Sequence, residues 1–360
     1  MTANTIVSHV HRLSPSASEI IDSGEKNMYW SALLRIWKLP SHIKHFPGPN
    51  PMSIEKSDAE RLQCEDFIVA LKTDGVRHLL LLTTKPNSTE PIALMIDRTR
   101  RMYEIEIWAN EDFFYEGSLY DGELVWEQNV LVYVVFDVVS AKGVSCTNLS
   151  YRERIKIIQD TILCVSDHHD EDAIEHMIAE ECKFLARNNL NDLRIMPKTC
   201  VAKAELHKLW QERTLCRHRN DGLIFTMNAS PVHTGTSDAI LKWKPYHSVD
   251  LRFVFENKGW KMYANMNNSG DHIELKDACE NHTFHLAESK LLNMIQTNYP
   301  RIIECVLQEN EDRTLTLVPE RERTDKISPN TAKTIQATIR NVHENINVED
   351  LMKVINADEI

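Results

Sequence analysis

The sequence predicts an α+β protein with two unequal parts, and three observations carry this. Residues 66–139 hold short strand-like runs in tandem, joined by brief turns, the pattern of an antiparallel sheet rather than of βαβ units. Residues 151–218 return to helical periodicity. From His247 the pattern changes again to short strands with a single helix, which suits a small OB-type barrel.

Each element has its own justification. Residues 1–27 are polar and serine-rich and are expected to be loosely ordered. "NMYWSALLRIWKLP" places apolar side chains at helical spacing and stops at Pro40. Pro47, Pro49 and Pro51 make residues 45–53 a stiff extended connector. The strand runs are then "DFIVALK", "VRHLLLLTT", "IALMID", "RMYEIEIW", "GELVW" and "LVYVVFDVV". Helices are expected over 151–165, over 171–189 ("EDAIEHMIAEECKFLARNN") and over 202–218, before the strands "GLIFTMN" and "AILKWKP". Residues 247–330 hold the small domain, with one helix in "AESKLLNMIQT". Ile335, Ile339, Val342 and Ile346 stripe one face of a last helix, expected to pack back on the large domain. The expected division is a large domain over 1–246, a small one over 247–330, and a returning helix over 331–360.

Composition narrows the function. The chain has 360 residues, 42% hydrophobic and 26% charged, as soluble globular proteins do. A formal charge of −12 excludes nonspecific coating of nucleic acid, which needs a broad basic face. A local phosphate pocket stays open. Eight cysteines include no C-x-x-C pair and no zinc spacing. The even spacing of Cys146, Cys164, Cys182 and Cys200 crosses segments of different character, so reduced thiols are expected. No apolar signal core and no run of about 18 apolar residues is present, so a soluble intracellular protein is expected. "DHHDEDAIEH" reads as an acidic helix start with exposed histidines rather than a metal site.

Lys72, in "LKTDGVR", is the residue that demands chemistry. A lysine ending an apolar strand is costly unless paired, and burial or nearby cations turn its amine into a nucleophile. Gly75 permits a tight turn and close approach by a phosphate, and Arg77 offers fixed donors. Taken alone, K-x-D-G is a polar hairpin turn. It is not isolated, however: the chain also holds "YDGE" (Asp121, Glu123), "VFDVV" (Phe136, Asp137), "NDGLIFT" (Asp221), "LKWKP" (Lys242, Lys244) and "RERTDKISPN". One candidate nucleophile, several cations and carboxylates fit for a divalent metal point to phosphate chemistry. The bland alternatives are Asp-Gly turns, a core phenylalanine and a solvated lysine edge.

In order and together these motifs resemble the covalent nucleotidyltransferases, the superfamily of capping guanylyltransferases and polynucleotide ligases, and the former more closely. The resemblance spans roughly Phe46 to Asn330. It implies an antiparallel-sheet nucleotidyltransferase domain (ATP-grasp/ligase-like), a C-terminal OB-fold barrel domain, and a cleft between them. It also implies mRNA guanylyltransferase activity: GMP passes from GTP to a lysine and then to the 5′-diphosphate end of RNA. Lys72 matches the nucleophile, with Thr73, Asp74 and Gly75 beside it in the GTP site. Arg77 and Arg98 resemble ribose- or phosphate-contacting arginines, Glu123 the ribose-binding acid, and Phe136 the stacking aromatic. Lys242 and Lys244 match the pair on the α-phosphate, which would also depress the Lys72 pKa. Asp221 and Glu123 would face a divalent metal, Mg2+ or Mn2+. Asp250 matches the acid after the lysine pair, and Lys198 in "MPKTC" is the candidate guanine reader. Arg321, Arg323, Asp325 and Lys326 resemble the motif that swings onto the β- and γ-phosphates. Val318, Pro319 and Glu320 stand where an aromatic often precedes that motif.

The partners implied are an RNA triphosphatase, a cap methyltransferase and the phosphorylated tail of RNA polymerase II. The location implied is nuclear for a cellular enzyme and cytoplasmic for a viral one. An ATP-dependent polynucleotide ligase is the related alternative, and a non-catalytic capping-complex subunit the alternative of another class.

Overall fold

The computed structural model describes residues 18–127, 130–162, 184–186, 193–266, 270–294, 299–324 and 326–356. The first strands are β1 (Ser18–Glu19), β2 (Asn50–Ser53), β3 (Phe67–Thr73), β4 (Val76–Thr84), β5 (Pro91–Asp97), β6 (Met102–Ile105) and β7 (Ile107–Ala109). β8 (Ser118–Glu127), β9 (Val130–Ala141), β10 (Val144–Ser145), β11 (Phe184–Ala186), β12 (Leu193–Pro197), β13 (Val201–Ala202), β14 (Asn220–Met227) and β15 (Thr236–Trp243) follow. The helices α1 (Ser23–Trp37) and α2 (Tyr151–Thr161) lie among them.

An eight-stranded sheet runs β1-β6-β5-β4-β8-β9-β10, with β12 added parallel to β9. A five-stranded sheet runs β13-β3-β14-β15-β2. The continuous apolar run of β4 follows from cover on both faces. Leu79 and Leu81 pack against Tyr29, Trp30, Leu33 and Trp37 of α1. Leu80 and Leu82 pack on the other side, in the cluster that holds Ile158 of α2. The antiparallel expectation holds for β4, β5, β6, β8 and β9. The turn between β3 and β4 is not a hairpin, because the two strands belong to different sheets. Lys72 therefore sits where the chain crosses from one sheet to the other.

Order begins earlier than expected. Ser18 and Glu19 pair antiparallel with β6, and Asp22 caps α1 by accepting from the Glu25 backbone N–H at 2.7 Å. Residues 1–17 lie outside the described residues, as do 163–183 and 187–192, which cover "DHHDEDAIEH", Cys164, Cys182 and most of the expected second helix. Within that expected helix, Phe184–Ala186 is instead strand, paired antiparallel with β7. The expected third helix is one short α-helix, Leu206–Gln211, flanked by 3₁₀ turns.

The contacts divide the chain into two compact units: residues 18–52 and 64–242 in one, and residues 53–63 and 243–356 in the other. The second unit holds β16 (His247–Glu256), β17 (Gly259–Asn265), β18 (His272–Glu274), β19 (Phe284–Leu286), β20 (Arg301–Glu309) and β21 (Leu315–Glu322). Its sheet order is β18-β17-β16-β20-β21-β19, an OB-like arrangement in which no ladder among the described residues joins the edges into a closed barrel.

The last helices, α3 (Ala332–Glu344) and α4 (Val348–Ile355), correct one expectation. Ile335, Ile339 and Val342 do not return to the large domain. They pack in one cluster with Val249, Leu251, Phe253, Ile303, Cys305 and Leu307 of the small sheet. Ile346 lies beyond the helix, which Asn345 ends in the left-handed conformation at φ 46°. Asn341 ties α3 to the 53–63 segment, donating from Nδ2 to the Ile54 carbonyl at 3.0 Å. Asn341→Ala leaves that carbonyl unsatisfied and is expected to cost about 1–3 kcal/mol, read as a lower urea midpoint.

Candidate active site

Two β-bulges aim the side chains that define the site. Asn220 lies opposite Thr73 and Gly222 opposite Lys72, so Asp221 is the extra residue of β14. Asp121 lies opposite Asp137 and Gly122 opposite Val135, so Phe136 is the extra residue of β9. A bulge frees one side chain from the alternation of its strand and redirects it. The Asp-Gly pairs at 121–122 and 221–222 are therefore strand positions and not turns.

Asp221 accepts a 2.8 Å hydrogen bond from Lys72 Nζ. The Lys72 side chain keeps 20% exposure, enough for a ligand to reach it. Burial pulls the Lys72 pKa down, but Asp221, Glu123 and Asp74 outweigh it and hold the ammonium above the usual lysine value. The expected depression by Lys242 and Lys244 is not what the structure shows, because the dominant neighbours of Lys72 are carboxylates. Lys198 behaves oppositely. Burial and the nearby Lys72 lower its pKa against the pull of Glu123, and its Nζ donates to Thr73 Oγ1. Glu123 thus acts on both lysines.

Arg77 departs from its expected role as a ligand-gripping donor. Its Nε and Nη2 donate to Asp121 at 2.9 and 2.5 Å, and Nη1 donates to the Pro49 carbonyl at 2.5 Å. The guanidinium lies 5.3 Å from the Phe46 ring centroid and 5.4 Å from that of Phe136. Its donors are engaged by the protein and its cation packs near both rings. Gly48 makes room for it, since a Cβ there would stand 2.5 Å from Arg77 Nη2. Phe136 itself is half-buried, unlike its neighbours Val135 and Asp137. Arg98 is exposed, one residue past β5. Lys242 and Lys244 are half-buried and alternate with buried Leu241 and Trp243, as period-2 spacing predicts.

The last motif lies in the second unit. Arg321 Nε donates to Glu304 at 2.6 Å, and Arg323 Nη1 donates to Asp250 at 2.9 Å and to Glu304 at 3.4 Å. Asp250, the acid that follows the lysine pair in the sequence, is thus a partner of Arg323. Lys326 follows, its backbone N–H bonded to the Arg323 carbonyl, while Asp325 lies outside the described residues.

Three supporting residues escaped the sequence reading. Arg154 neutralises buried Asp137, donating from Nε at 2.7 Å. Tyr151 Oη donates to the Phe136 carbonyl at 2.9 Å. Glu304 holds both arginines. Glu304 is one polar residue within the apolar run of residues 302–307, a pattern that marks a buried pair without naming the partner, whereas Arg154 is hidden among the charges of residues 152–156.

Residues 18–246 match the family described as mRNA capping enzyme, catalytic domain. The chain belongs to this family. Residues 228–352 match the capping enzyme C-terminal domain. The mRNA-capping enzyme subunit alpha of Schizosaccharomyces pombe is 28% identical over 339 residues, covering 86% of this chain and 79% of that protein. The Saccharomyces cerevisiae subunit alpha is 23% identical, covering 96% and 86%. The Caenorhabditis elegans mRNA-capping enzyme is 23% identical, and the chain spans about half of it: 93% and 52% are covered. Among solved structures, mycobacterial DNA ligase D complexed with ATP is similar at a TM-score of 0.38 and 10% identity, covering 78% of this chain and 98% of that one. This capping-family chain is an mRNA guanylyltransferase, a nucleotidyltransferase. No described helix is long and apolar enough to cross a membrane.

Proposed function

We propose that Lys72 is the nucleophile and that transfer runs in two steps through a lysyl-GMP intermediate. The Lys72 amine attacks the α-phosphorus of GTP, an N–P bond forms, and the P–O bond to pyrophosphate breaks. An oxygen of a 5′-diphosphate RNA end then attacks the same phosphorus and releases the lysine as the GpppN cap forms. The observation that carries this reading is the Lys72–Asp221 pair at the crossover of the two sheets. The ammonium must lose one proton before attack, and Asp221 is the acceptor at 2.8 Å.

The pKa directions alone would favour Lys198 as the nucleophile. Lys72 is preferred because its end faces Asp221 and keeps exposure, whereas Lys198 is engaged with Thr73 and suits recognition of the guanine edge. Phe136 is assigned to base stacking and Glu123 to the ribose. Thr73, Asp74 and Gly75 are assigned to the phosphate-side loop, with Arg98, Lys242 and Lys244 on the phosphates. Arg77 positions Phe136.

Asp221 and Glu123 are hard oxygen donors. Among the described residues no cluster of three or more His, Cys, Asp or Glu stands ready as a cage. One or two carboxylates completed by phosphate oxygens is the usual arrangement for Mg2+, so the donors fit Mg2+ or Mn2+. Such an ion would neutralise phosphate charge. Arg321, Arg323, Asp325 and Lys326 are assigned to the β- and γ-phosphates, which requires Arg323 to exchange Asp250 for phosphate. A triphosphatase that makes the diphosphate end and a methyltransferase that acts on the cap follow from the chemistry. The phosphorylated polymerase II tail and a nuclear location follow from the family.

Gly75 is the tightest point of the loop. A Cβ there would stand 2.6 Å from both the Leu124 carbonyl oxygen and Val125 Cγ1. Gly75→Ala is expected to displace Lys72 and slow adduct formation on the order of 10²-fold, measured by single-turnover labelling. The acceptor is tested with isolated lysyl-GMP. Transfer to RNA with a 5′-diphosphate end supports the reading, and transfer only to a 5′-monophosphate end marks a ligase.

A further inference from the structure

We propose that Cys216 is an activated thiol, a modification site for hydroperoxides and soft carbon electrophiles, and that its modification shuts off nucleotidyl transfer. The second half rests on the function proposed above. The first rests on geometry alone. Cys216 Sγ lies 3.3 Å from His218 Nε2, and His218 Nδ1 lies 2.7 Å from Glu127 Oε1. An ionised carboxylate only accepts, so Nδ1 carries the ring proton and Nε2 turns its lone pair to the thiol. Nε2 is thereby placed to take the thiol proton as the sulfur attacks, general-base activation of a cysteine with the ring held by Glu127. His218 and Glu127 are nearly buried, at 10% and 11% side-chain exposure, while Cys216 is half-buried and open to small reagents.

The other described cysteines lack this environment. Burial pushes the thiols of Cys146, Cys200 and Cys279 up to about 11, and that of Cys305 further still. Cys64 is exposed and serves as the internal reference.

The placement links the thiol to the lysines. Glu127 ends β8, the strand that carries Glu123, and His218 stands just before β14, which carries Asp221. Cys216 is among the groups acting on Lys198, whose Nζ bonds Thr73 next to Lys72. With a hydroperoxide, the sulfur attacks one oxygen as His218 Nε2 takes its proton, and the O–O bond breaks. The sulfur loses two electrons and becomes a sulfenic acid, and the departing oxygen takes the His218 proton. A thiol reductant reverses this through a mixed disulfide, releasing water.

The test is residue-resolved alkylation of the full chain by iodoacetamide at neutral pH, followed by mass spectrometry. Cys216 is expected to react on the order of tenfold faster than Cys64, and to fall to the Cys64 rate in both His218→Asn and His218→Gln. Equal rates in the unaltered protein would overturn the site. Hydrogen peroxide is then expected to abolish lysyl-GMP formation reversibly by dithiothreitol, and to spare Cys216→Ser, whose untreated activity is unchanged. Peroxide loss that persists in Cys216→Ser would overturn the switch. A protein that forms no adduct even untreated would count against the function above, and alkylation would still decide the site.

Discussion

Lys72→Ala is expected to form no nucleotide adduct, while Asp221→Asn is expected to form one slowly and with an altered pH profile. Asp221 is the largest influence holding the Lys72 ammonium above its usual value of 10.5. Below its pKa the reactive amine fraction falls about tenfold per pH unit. Adduct formation in the unaltered protein should therefore keep rising through neutral pH toward alkaline values. Removing the Asp221 charge lowers the Lys72 pKa, so the Asp221→Asn profile should level off at a lower pH. Its plateau should also fall, because the carboxylate proposed to accept the proton and to hold the metal is lost. Single-turnover labelling between pH 6 and about 10 checks both features. Unchanged profile shape would contradict the pairing. The stability sign follows the same shift. Because the folded pKa is raised, the pair contributes fully below the unfolded lysine value of 10.5 and is lost as pH rises through the folded one.

Arg77→Ala is expected to be the most damaging substitution for stability, at about 3–5 kcal/mol. It strands Asp121, which is 1% exposed, without its two charge-assisted bonds, and leaves the Pro49 carbonyl without its donor. It also removes the cation between Phe46 and Phe136, so any folded fraction should bind GTP weakly. Arg77→Lys should recover little, since one ammonium cannot reproduce the planar fork on Asp121 and Pro49 together. Chemical denaturation with nucleotide titration checks this. If Arg77→Ala keeps its stability and loses only GTP affinity, the arginine contacts ligand rather than wall.

The contrast between Arg77 and Lys72 shows what the amino-acid order could reveal. Both stood out as charges in apolar strands, and the motif order alone led to the family. Lys72 stood out because a lone lysine after Phe67, Ile68, Val69 and Ala70 is costly unless paired, and Asp221 supplies the pair. The partner of Arg77 was not legible, because Asp121 comes from a neighbouring strand whose register depends on pairing. The bulges at Phe136 and Asp221 were hidden for the same reason: a bulge is a property of two strands. The last helix misled because its stripe shows that a face is apolar but not which sheet lies beneath it. Asp250 and Arg323 are each visible as motif residues. Their union with Glu304 needed β16, β20 and β21 side by side.

The central claim, that Lys72 rather than Lys198 carries the nucleotide, is tested most directly by locating the adduct. The protein would be incubated with GTP and a divalent metal, quenched, digested and sequenced by mass spectrometry, with ATP in a parallel sample. GMP on the peptide containing Lys72, absent with ATP, is the predicted result. GMP on Lys198, or an AMP adduct in place of GMP, would contradict it.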